Sequence, residues 1–137
     1  MTAYTQTVND TVINNDTLDR VGMYSFFLNA DDASPSTSAI NYHCISGANA
    51  NAGWNATQAN RAQIIPQALV LDNWRIQIDV APDAGKSWLF EIYKNGIATG
   101  YQITIAETAT TGFNSSMAIN FSAGDTISIG CTPSGTP

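Results

Sequence analysis

The chain has 137 residues, 44% of them hydrophobic and only 12% charged, with a formal net charge of −6. That length holds one domain with a real core and excludes two. Five Lys and Arg in all cannot build a basic face, which excludes nucleic acid and anionic membrane surfaces as partners.

The N-terminal stretch MTAYTQTVNDTVINND has neither a basic run nor an apolar one, so no secretory leader is expected and synthesis in a cytoplasm is. Residues 1–21 are polar, with Val8, Val12, Ile13 and Leu18 spaced among Asn, Asp and Thr. They read as an extended arm that becomes ordered against something else. Residues 22–137 read as one domain. Gly22–Asn29 is a β-run apolar on both faces, with Met23 and Phe27 on one of them. Ile40–Ser46 reads as a second strand, and the long small-residue loop Gly47–Arg61 carries Trp54.

From Gln63 the pattern becomes regular. QIIPQALVL is a β-run broken by Pro66, and NWRIQIDVAP alternates Trp74, Ile76, Ile78 and Val80 against polar residues. SWLFEIYKNGIATGYQITI holds two alternating runs around Asn95-Gly96, the strongest short hairpin signal. A simple two-residue loop puts Phe90 opposite Tyr101 and Trp88 opposite Ile103. Trp88, Phe90, Ile92, Tyr101, Ile103 and Ile105 then share one side. Leu89 and Tyr93 fall on the other. Met117–Phe121 and Thr126–Cys131 read as a further pair across Ser122–Asp125. Short strands and turn signals at this spacing, with no helical period, predict an antiparallel β-sandwich.

Chemistry is scarce. His43 is the single histidine, so neither a metal cluster nor a nucleophile–histidine–acid arrangement is supplied. Asp79 and Glu91 alternate with core residues and so face outward, without the burial that raises a catalytic acid. Gly85-Lys86-Ser87 ends like a phosphate-binding loop, but Val80 stands where its first glycine is required. No enzyme activity, cofactor or metal is expected. Cys44 and Cys131 read as free buried thiols. The apolar residues left over, Met23, Phe27, Leu89 and Tyr93, predict an interface, and the low charge favours contact between copies of the same chain.

Residues 63–137 resemble the trimeric jelly-roll domains of the tumour-necrosis-factor and complement type, in the versions found in phage and bacterial structural proteins. The resemblance lies in the strand ending in APDAGKSW, the Lys-Asn-Gly hairpin, and FSAGDTISI followed by PSGTP. It implies a two-sheet jelly roll that forms a homotrimer and carries no activity. Family members usually continue past SGTP into a further apolar strand, which this sequence lacks.

On that resemblance the expected role is a bacteriophage structural protein, a capsid decoration (cement) protein on the virion exterior. Its partners would be copies of itself and the major capsid protein or another virion protein. Residues 1–21 would dock it to the shell. The alternative is the receptor- or glycan-binding head of a fibre or adhesin. There Trp54, with Tyr42 and Tyr101, would stack on sugar.

Overall fold

The structure, a computed structural model, describes residues 34–45 and 53–137, and the backbone alone of Gln6–Val8 (β1) and Thr11–Ile13 (β2). The expected interface residues Met23 and Phe27 and the expected arm residue Leu18 lie outside the described residues. So do the side chains of Val8, Val12 and Ile13. The remaining elements are β3 (Asn41–His43), β4 (Gln63–Ile64), β5 (Leu69–Gln77), β6 (Asp83–Lys94), β7 (Ile97–Glu107), β8 (Thr111–Phe121) and β9 (Thr126–Ser134). A 3₁₀ turn spans Gln58–Asn60.

Among the described residues the fold is all-β and antiparallel. β1 and β2 form a small ladder of their own, Gln6 opposite Ile13 and Val8 opposite Thr11. Part of the expected extended arm is therefore a two-stranded antiparallel ladder.

The large sheet runs β3-β9-β6-β7, with β4 following β3 along the same flank of β9. The second sheet is the ribbon β5–β8. Trp88, Phe90, Ile92, Ile103, Ile105, Ile127, Ile129 and Cys131 from the large sheet meet Met117, Ile119 and Phe121 from the ribbon in one buried core. Leu69, Leu71, Trp74 and Ile76 of β5 pack against it. The side-chain period of two dictates this: each strand gives alternate residues to the interior. The arrangement is a sandwich of two antiparallel sheets.

Three expectations need correction. First, the β6–β7 register differs. Lys94 faces Ile97 and Tyr93 faces Ala98, but Phe90 then faces Ile103 and Trp88 faces Ile105. Thr99, Gly100 and Tyr101 together stand opposite Ile92, a bulge made possible by Gly100 at φ 79°. The Thr99 hydroxyl donates to the Ile92 carbonyl at 2.7 Å, and the Gly100 N–H donates to the Glu91 carboxylate at 2.9 Å. The slip is two residues, so every side chain keeps its face.

Second, β8 and β9 do not pair. β8 pairs with β5 and β9 with β6, so Ser122–Asp125 carries the chain from one sheet to the other. Alternation shows which residues of a strand are buried and not which strand lies beside it. Third, Val80 lies beyond the end of β5 and is 70% exposed.

The corner is pinned to the hairpin tip. Asp125 accepts from Asn95 Nδ2 at 2.7 Å, from the Ser122 N–H at 2.7 Å and from Lys94 Nζ at 3.0 Å. These bonds, that from Asn95 foremost, hold its carboxyl at about 2, below the ordinary 3.8. A depressed folded value means the contribution is present above the unfolded value and is lost as pH falls through the folded one. Acidification from about pH 4 to 2 should therefore free the tip, lowering the protection of the Asn95 and Thr126 amides, taken as exchange relative to the intrinsic rate at each pH. Asp125→Asn should remove that change in protection. Protection at those amides that is flat across this window in the parent protein would refute the assignment.

Candidate interaction surface

The outer side of the large sheet is the surface that the strand register builds. Leu89, Glu91 and Tyr93 of β6 alternate with the buried Phe90 and Ile92 and so point away from the core. Opposed residues share a face. Leu89 lies between Thr104 and Thr132, Glu91 between Gln102 and Gly130, and Tyr93 between Ala98 and Ser128. Tyr42 faces Gly130 from β3, and Ile64 faces Thr126 from β4.

The aromatic part of this surface is fixed by a missing side chain. A Cβ at Gly130 would sit 2.5 Å from Tyr93 Cε2 and 3.4 Å from Tyr42 Cε1. Glycine thus lets Tyr93 lie close over β9, with Tyr42 edge-on to it at 5.3 Å between ring centroids. Burial first, then Tyr42 and Glu91, pushes the Tyr93 phenol up to about 12. Gln58 Nε2 donates to Ser128 Oγ at 3.3 Å, closing the surface at that end.

Across these positions the only charged side chain is Glu91, and the Gly100 N–H already binds it. The surface is aromatic and sparsely charged on a chain of net charge −6.

Leu89 and Tyr93 thus lie on one face, both half-buried. Ile64, 72% exposed on the same side, was missed because Pro66 makes QIIPQALVL read as a broken run. Other exposed apolar side chains lie elsewhere. Val70 and Phe113 face outward on the ribbon, where Arg75 covers the Phe113 ring at 5.2 Å, and Ile97 sits at the hairpin tip.

Trp54 is placed differently from its expected role. Its indole packs inward on His43 at 5.2 Å and Phe90 at 6.3 Å, held there by paired hydrogen bonds between Asn55 and Tyr42. Tyr101 also packs against the core, its hydroxyl donating to the Ala118 carbonyl at 3.4 Å. Both rings are partly buried.

His43 is fully buried, and its Nδ1 donates to the Cys44 carbonyl at 2.8 Å. Cys44 and Cys131 are both buried, and burial pushes the Cys131 thiol up to about 12. Among the described residues no His, Cys, Asp and Glu gather as metal ligands, and no helix is long and apolar enough to cross a membrane.

Family models, curated proteins and solved structures were compared with the chain, and none matches.

Proposed function

We propose that this protein is a structural building block of a virus particle. It would act as a capsid decoration protein of the jelly-roll type, assembling as a homotrimer through the outer side of the large sheet. The observation that carries this reading is the sparsely charged face of Tyr42, Ile64, Leu89 and Tyr93, whose one carboxylate, Glu91, accepts from the Gly100 N–H within the chain. Copies of an acidic protein repel one another wherever their charges meet, and this face brings only Glu91 to the contact. Its function is mechanical. Three shallow contacts on one trimer multiply into firm attachment to the shell, because after the first forms the others bind at high effective concentration. The inward placing of Trp54 and Tyr101 weighs against the sugar-binding alternative.

The test has two parts. Light scattering on the purified chain should give three times its 14.6 kDa mass. Deleting residues 2–20 should leave that mass, corrected for the deletion, and abolish binding to undecorated capsids. A lone subunit at high concentration would overturn the assembly, and full decoration by the truncated chain would overturn the role of the arm.

A further inference from the structure

We infer that Asn95-Gly96 is a self-modifying site held in check by the fold: Asn95 deamidates through Gly96 when the hairpin tip leaves the Ser122–Asp125 corner, and stays intact while docked. The inference is independent of the assembly proposed above.

The chemistry needs only these two residues and water. The Gly96 backbone nitrogen gives up its proton and attacks Asn95 Cγ. A new N–Cγ bond forms, the Cγ–Nδ2 bond breaks, and ammonia leaves with the proton. Water then opens the resulting five-membered imide at either carbonyl, yielding aspartate or isoaspartate. Glycine is the most permissive following residue, because it has no Cβ to obstruct the approach. Position 95 is the only Asn-Gly in the chain.

In the folded state the reacting amide is restrained at both ends. Asn95 Oδ1 accepts from the Thr126 N–H at 2.7 Å, and Nδ2 donates to Asp125 Oδ1 at 2.7 Å. The Asn95 N–H also donates to the Thr126 carbonyl at 2.9 Å, which fixes the backbone. The turn holds Asn95 at φ 51° and Gly96 at φ 80°. To reach the Gly96 nitrogen, Cγ must swing away from both partners, so the tip has to open first.

The change would be one-way. Aspartate at 95 puts a carboxylate against that of Asp125, where an amide donor now stands. Isoaspartate adds a main-chain methylene to a turn whose length sets the β6–β7 register. Neither product rebuilds the original clamp.

The experiment incubates the full chain in mildly alkaline buffer, folded or in urea. Peptide mapping and isoaspartyl methyltransferase labelling then follow position 95. Reaction should be at least about tenfold slower in the folded chain, as expected when only the locally opened state reacts. Asp125→Ala should speed the folded-state reaction severalfold while tryptophan fluorescence stays native. Should that variant not fold, urea below the parent's unfolding transition serves instead, and the reaction should accelerate before fluorescence changes. Equal rates folded and unfolded, no reaction in urea, an unchanged rate in folded Asp125→Ala, or acceleration only with global unfolding would each overturn the proposal.

Discussion

Phe90→Ala is expected to lower the unfolding free energy by about 3–5 kcal/mol, the range for truncating a buried phenylalanine. Phe90 is 4% exposed and sits in the middle strand pair of the large sheet, facing Ile103 on β7 and Cys131 on β9. Both neighbouring backbones are tied into ladders and cannot move in to fill the space, so the cavity term stays large. Trp54 loses a contact too, and with it the packing of the 53–60 segment on the core. Urea unfolding followed by fluorescence of the three tryptophans measures the loss. Val70→Ala, on the exposed side of the ribbon, should change stability by no more than about 0.5 kcal/mol. A Phe90→Ala loss below about 1 kcal/mol would mean that this ring is not in a packed interior.

Face assignments were the most legible property of the sequence, and partners the least. Trp88, Phe90, Ile92, Ile103 and Ile105 are identifiable as core from their alternation, because burial of a strand residue depends on parity alone. The register was not legible, because the bulge at Gly100 is closed by the Glu91 carboxylate and the Thr99 hydroxyl, a bonding choice that no local pattern encodes. The pairing of β8 with β5 was hidden for a similar reason. Met117, Ile119 and Phe121 would alternate identically beside either neighbour.

Half of the candidate surface was legible. Leu89 and Tyr93 follow from the hairpin. Ile64 reaches the same side only through its pairing with Thr126, a contact distant in sequence. The packing of Trp54 was not legible, because a long Gly- and Asn-rich loop usually displays its aromatic residue. Here the bonds between Asn55 and Tyr42 turn it inward.

Leu89→Lys is expected to dissociate the proposed trimer while leaving the subunit folded. The side chain points away from the core, between Thr104 and Thr132, and is not part of the buried cluster. In a single subunit the lysine stem can lie along the sheet with its ammonium in water, so the cost to folding is small. In a trimer built on this face the same ammonium is drawn out of water, and the single Glu91 carboxylate, itself bonded to the Gly100 N–H, offsets only part of that cost. Removing a charge from water costs several kcal/mol, and three-fold symmetry brings three of them together. Light scattering should fall to the 14.6 kDa of one chain, with unchanged circular dichroism and thermal unfolding as steep as in the parent. Gln77→Lys, at the exposed end of β5, should leave the mass unaltered. If Leu89→Lys keeps the parent's mass and Gln77→Lys loses it, the contact lies on the ribbon side, around Val70 and Phe113, and the outer side of the large sheet is not the interface.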